Sequence, residues 1–212
     1  MKYPIKLAVL FILLSCNQSP NAEKTLVAWV SLTDTVEMEG SVITIQDGER
    51  FDGIYLSAED GGKWIAGSEN NKRTQPEKGI PVQESDGEDL IQLAIVYTDS
   101  EIRMFRNGEL KSSYPAGNID LLSSNKNSVL FGMDHFDGTA HMSEAIEDVR
   151  IYSRALTESE IKSLQPNEAS KVTPYAWWDF EDEKLMDRTG KFTYHNRYGL
   201  TFKGFELKEG KL

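Results

Sequence analysis

The chain has 212 residues, a formal net charge of −11, a single cysteine and three histidines. An acidic surface without a basic cluster excludes a nucleic-acid partner, because a phosphate backbone is held by neutralising its charge. One cysteine excludes an internal disulfide framework, so the fold must rest on its core, for which this length is sufficient.

Lys2 and Lys6 precede the apolar run at residues 7–14, the division of an export signal. That run is too short to cross a bilayer as a helix. Leu13-Leu14-Ser15-Cys16 resembles the lipobox of bacterial lipoproteins, in which a small residue precedes the cysteine that takes the lipid. The resemblance implies a signal peptide over residues 1–15, lipidation at Cys16 and a membrane-anchored product. Asn17 stands where Asp favours inner-membrane retention, which points to the outer membrane or cell surface. Residues 16–24 are polar and aperiodic and read as a flexible tether, with the folded part at 25–212.

From Thr25 onward, short alternating runs are separated by turn residues, the pattern of an all-β sandwich or barrel. Strands are predicted at residues 26–32, 41–46, 53–57, 63–67, 90–97, 101–106, 109–114, 128–133 and 145–152. Asn107-Gly108 supplies the positive φ of a tight hairpin. Residues 74–89, with two prolines and five acidic residues, read as a long loop. Thr157 and Glu160 form a capping box that predicts one short helix over about 157–164, stopping before Pro166.

The run from Ala145 to Thr157 (AIEDVRIYSRALT), with the helix after it, resembles the closing strand and helix of concanavalin A-like, laminin-G-like jelly rolls of bacterial extracellular proteins. Val27-Ala28-Trp29-Val30 resembles an early strand of that family, and residues 101–110 resemble its hairpin with an Asn-Gly turn. The resemblance implies a jelly-roll sandwich. It departs from the family at the front: the opening segment of the type "WxFD" appears instead as Trp177-Trp178-Asp179-Phe180, followed by Asp187-Arg188-Thr189-Gly190. Residues 175–205 are therefore expected to fold back and complete the same sandwich, returning antiparallel beside residues 146–152. The alternative is that residues 166–212 begin a truncated second module. Their many aromatic residues would be hard to bury in so short a piece.

Catalysis on this fold implies two carboxylates facing one groove. Glu84-Ser85-Asp86-Gly87-Glu88 has the spacing but lies in the acidic loop, and strand alternation puts Glu147 and Asp148 on opposite faces. No nucleophile motif surrounds His135, His141 or His195, and the loop holding His135, Asp137 and His141 reads as a polar turn. The resemblance also implies a structural calcium ion, with Glu147, Asp148, Glu181 and Asp187 as its candidate ligands. A sugar site needs aromatic faces beside polar groups, and Trp64, Tyr55, Asn70 and Arg73 are the candidates, while Trp29 belongs to the core. The leading expectation is a non-catalytic, lectin-like envelope lipoprotein binding carbohydrate or a partner protein. The alternatives are an accessory part or remnant of a glycoside hydrolase and a purely structural or adhesive module. No oligomeric state is implied.

Overall fold

The computed structural model describes residues 23–32, 39–47, 49–58, 62–83, 89–116, 128–132, 144–181, 186–191 and 205–206. Among these, twelve strands build two packed sheets: β1 (Lys24–Leu32), β2 (Gly40–Asp47), β3 (Arg50–Ser57), β4 (Lys63–Ser68), β5 (Ile80–Pro81), β6 (Ile91–Tyr97), β7 (Glu101–Arg106), β8 (Glu109–Pro115), β9 (Ser128–Phe131), β10 (Glu144–Tyr152), β11 (Ala176–Trp178) and β12 (Phe205–Glu206). The larger sheet runs β11-β10-β1-β6-β7-β8, with β12 parallel to the start of β10, and the smaller runs β5-β4-β3-β2-β9. This is the all-β sandwich with one short helix that the sequence implies.

Strand alternation builds the core. Leu26, Ala28 and Val30 of β1, Ile91, Leu93, Ile95 and Tyr97 of β6, and Ile146, Val149 and Ile151 of β10 meet Val42, Ile43, Ile45, Ile54, Leu56 and Trp64 of the smaller sheet. The residues between them on β1 and β6 are apolar too. Val27, Trp29, Ala94 and Val96 face outward and are covered by Tyr152, Leu156, Ile161 and Leu164. Hence β1 is buried along its whole length. It reads as a continuous apolar run rather than an alternating one, as strands covered on both faces do.

The covering element is the helix α1 (Glu158–Lys162). Its capping box is present as the sequence predicts: Thr157 Oγ1 accepts from the Glu160 amide, and the Glu160 carboxylate accepts from the Thr157 amide. Arg154 pairs with the same carboxylate and, with the Thr157 amide, holds the Glu160 pKa down at about 2. The helix rests on the β7–β8 turn, where Gly108 has φ of 76° and an added Cβ would meet Lys162 Cα at 2.7 Å. Only glycine satisfies both the turn and the packing.

Two stretches depart from the sequence reading. Lys24, read as tether, is the first residue of β1 and is buried. The expected loop at 74–89 contains a 3-10 turn at Pro76–Lys78 and the short strand β5, which pairs with Lys63 and Trp64 of β4. Proline is tolerated there because β5 is an edge strand.

At the other edge, β11 pairs antiparallel with β10, Val149 opposite Trp178 and Ile151 opposite Ala176. Ala176, Trp178 and Phe180 enter the common core. Phe180 adopts a left-handed φ of 49°. Its ring packs edge-on against Phe131 of β9, as does Trp178, with centroids 5.2 and 5.0 Å away. The edges of the two sheets thus meet through three aromatic rings, in the geometry such rings favour.

Candidate functional site

Between the sheets at one end lie four buried charges. Lys24 Nζ donates to Asp52 Oδ2, and Arg73 Nε donates to Asp52 Oδ1 at 3.0 Å. Arg73 also grips Glu69 with two bonds, of 3.1 and 2.7 Å, and donates to the Phe51 carbonyl at 2.9 Å. Glu69 accepts in turn from the Phe51 amide. Two positive and two negative groups balance, and paired charges tolerate burial where single ones do not. Burial opposes ionisation of Arg73, but Glu69 and Asp52 outweigh it and raise its pKa. Burial likewise opposes Glu69, yet Arg73 and the Phe51 amide hold its pKa below the ordinary value. Because Glu69 is lowered, its contribution to stability is present above the ordinary carboxylate range and is lost as pH falls through its folded value.

This network mounts a turn at residues 68–75. Ser68 Oγ accepts from the Arg73 amide, and Thr74 Oγ1 donates to the Ala66 carbonyl at 2.7 Å. Asn70 and Asn71 adopt φ of 49° and 54°. Asparagine accepts that left-handed conformation more readily than most residues. Asn70, Asn71 and Lys72 face solvent, while Glu69 and Arg73 point inward.

The four sugar-site candidates therefore separate. Asn70 is exposed on the turn, and Tyr55 is half-buried on β3 with its hydroxyl donating to Glu39 Oε1 at 2.6 Å. Trp64 and Arg73 require correction. Trp64 is 1% exposed and packs in the central core, so its ring offers no free face. Ile65 beside it is also apolar, which hid from the pattern which of the two points inward. Arg73 is consumed by Asp52 and Glu69. The quartet was missed because its members are far apart in sequence and two of them, Lys24 and Asp52, sit among strand residues.

The second polar cluster lies on the outer face of the larger sheet. Trp29 pairs with Asp148 and Val30 with Ile146, so Glu147 is the extra residue of a β-bulge. This corrects the expected alternation. Glu147 Oε1 accepts from the Asn167 side chain at 2.6 Å and Asp148 Oδ2 from the Asn167 amide at 2.7 Å, so both carboxylates reach one residue. Arg150 donates to both oxygens of Asp148, at 2.9 and 2.7 Å, and to the Gln165 carbonyl. Its guanidinium lies 5.0 Å from the Trp29 ring and 4.8 Å from the Trp177 ring. Trp177 Nε1 adds a further donor to Asp148. Burial pushes the Asp148 pKa up, against the pull of Arg150 and the other donors.

These contacts decide the fit of calcium. The Asp148 oxygens are taken by Arg150, Asn167 and Trp177. Those of Asp187 accept from the amides of Trp177, Thr189 and Lys191 and from the Thr189 hydroxyl. Glu181 is exposed. Among the described residues no three His, Cys, Asp or Glu side chains are grouped to hold a metal ion. Calcium wants six to eight free oxygens, and Glu147, Asp148, Glu181 and Asp187 do not supply such a set. Arg150 provides the positive charge that Asp148 requires, and Asp187 braces the Asp187–Gly190 turn against β11. Cys16, the triplet at Glu84, Asp86 and Glu88, and His135, His141 and His195 lie outside the described residues.

Residues 11–162 match the sequence profile of the concanavalin A-like lectin/glucanases superfamily. No curated protein matches the chain by sequence. Among solved structures, the heptameric pentraxin of Limulus polyphemus superposes with a TM-score of 0.51 at 15% identity, over 69% of this chain and 71% of that one. A Bacteroides ovatus protein provisionally assigned to carbohydrate binding gives 0.51 at 14%, over 80% of this chain and 50% of that one.

The placement of Trp64 is testable. Its Nε1 is buried without a hydrogen-bond partner among the described residues, and an orphaned donor costs about 1–3 kcal/mol. Trp64→Ala is expected to lose about 3–5 kcal/mol in denaturant unfolding. Trp64→Phe, which removes the orphan, is expected to change stability by less than about 1.5 kcal/mol.

Proposed function

The chain belongs to the concanavalin A-like lectin/glucanases superfamily, and from that premise we propose that it is a non-catalytic, glycan-binding lipoprotein of the cell envelope. The observation that carries this reading is the asymmetry of the sandwich. The outer face of the larger sheet is closed by Tyr152, Leu156, Ile161 and Leu164 over Val27, Trp29, Ala94 and Val96. The outer face of the smaller sheet is covered at its β4 edge, where Gly79 after the Pro76–Lys78 turn packs on Ile65 and Lys63, while Tyr55 on β3 stays partly exposed. The middle of the larger sheet is thus spent on structure, and in this reading recognition falls to the smaller sheet.

Binding without cleavage is supported by the state of the carboxylates. Glycoside hydrolysis needs one acid and one base or nucleophile free in a groove. The adjacent pair on β10, Glu147 and Asp148, is instead engaged by Asn167, Arg150 and Trp177. Anchoring is inferred from the lipobox-like residues around Cys16, with several acyl chains needed because one binds a membrane weakly.

Purified protein is expected to bind at least one polysaccharide on a glycan array and to release no sugar from it on prolonged incubation. Release of oligosaccharides would establish the hydrolase alternative, and neither binding nor release would establish the structural one. In a bacterial host, Cys16→Ser is expected to move the protein from the membrane to the soluble fraction with unchanged melting temperature. Retention of the variant in membranes would refute the anchor.

A further inference from the structure

Strand alternation on β3 sends Asp52, Ile54 and Leu56 inward, as the core and the ion quartet record, and leaves Phe51, Gly53 and Tyr55 on the outer face. On the neighbouring strand β4, Gly67 stands opposite Gly53. A Cβ at Gly67 would fall 2.9 Å from Tyr55 Cβ and 3.7 Å from Phe51 Cε2. Both aromatic side chains therefore lean over the one position of β4 that has no side chain, and any larger residue there would push them apart. Glycine inside a strand weakens it, and here its absence of a side chain lets two partly exposed aromatic residues converge on one position.

The same strip adjoins the Asn70–Lys72 turn. The Phe51 amide and carbonyl bond Glu69 and Arg73, the two inward residues that flank that turn. Two exposed amides, Asn70 and Asn71, are thereby fixed at the Phe51 end of the strip, and the Glu39 carboxylate stands at the Tyr55 end. The mount is charge-balanced and buried, so ligand contact would not need to order it first.

We propose that Phe51 and Tyr55, leaning over Gly67, form the stacking floor of a polysaccharide site whose polar end is Asn70 and Asn71. This rests on the glycan-binding reading above and locates it. Aromatic faces beside a few fixed polar groups are what sugar rings require, since a sugar presents C–H faces and a hydroxyl rim. The ligand is an uncharged chain. A protein at −11 repels a polyanion at long range, and Glu39 beside Tyr55 would oppose a carboxylate or sulfate directly. Phe51 and Tyr55 are partly exposed, and neither is a member of a core cluster.

The test uses affinity electrophoresis of the lipid-free protein through gels containing β-glucan, xylan, arabinan, galactomannan or, as the anionic probe, alginate. Wild type is expected to be retarded by at least one neutral polysaccharide and not by alginate. Phe51→Ala and Tyr55→Ala are each expected to weaken that binding at least about tenfold, the effect of removing a central aromatic contact. Tyr55→Phe, which keeps the ring, is expected to stay within about threefold of wild type, and all variants are to be compared at matched melting behaviour. Undiminished binding by both folded alanine variants would overturn the location while leaving the glycan reading intact. Failure of wild type to bind any neutral polysaccharide would overturn both, and preferential retardation by alginate would overturn the choice of ligand.

Discussion

Arg150 is the residue on which the architecture turns. Its guanidinium is held between the rings of Trp29 on β1 and Trp177 on β11, is locked to both oxygens of Asp148 on its own strand, and donates to Gln165 in the connection after α1. At 1% exposure it is a buried cation, which is tolerable only because every side of it meets a carboxylate, a carbonyl or a π face. Asp148 is equally dependent, accepting from Arg150, Asn167 and Trp177. A buried pair of this kind adds little net stability over an apolar substitute, but losing one partner is costly. Its role here is geometric: β1, β10, the connection after α1 and β11 are fastened at one point.

That fastening determines what the rest of the surface is free to do. With α1 and the connection pinned over β1 and β6, the middle of the larger sheet has no outer face to offer. The β-bulge at Glu147 belongs to the same arrangement, since it turns two consecutive carboxylates toward Asn167. At the opposite end, the quartet of Lys24, Asp52, Glu69 and Arg73 ties the start of β1 to the smaller sheet and to the turn that presents Asn70 and Asn71. Lys24, the first residue of β1, is thereby joined to the mount of the proposed ligand turn. Burial raises the pKa of Tyr97 and, to about 12, that of Tyr114 beside this network. Both stay neutral, and neither adds a charge to the balanced set.

The strands of the sandwich were legible because alternation and turn residues speak locally: β6 and β7 fall where Leu90, Tyr97, Glu101 and Arg106 mark them, and Thr157 with Glu160 announces α1. The hidden parts are those that depend on distant partners. Nothing around Lys24 signals Asp52, and Arg73 looks like a surface cation until Glu69 and Asp52 are placed beside it. Trp64 and Ile65 are adjacent and both apolar, so the pattern could not say which enters the core. Tyr55 and Asn70 were legible as candidates, but Phe51 was not, because its significance comes from Gly67 on the next strand. The bulge at Glu147 was invisible for the same reason: alternation assumes an unbroken ladder.

The central claim is that Arg150 and Asp148 act as one clamp for β11. A double-mutant cycle of Arg150→Met and Asp148→Asn, read by denaturant unfolding, tests it most directly. Each single change is expected to cost about 3–5 kcal/mol, because each strands a buried polar partner. The double variant is expected to cost clearly less than their sum. Single losses below about 1 kcal/mol, or strict additivity, would contradict the clamp.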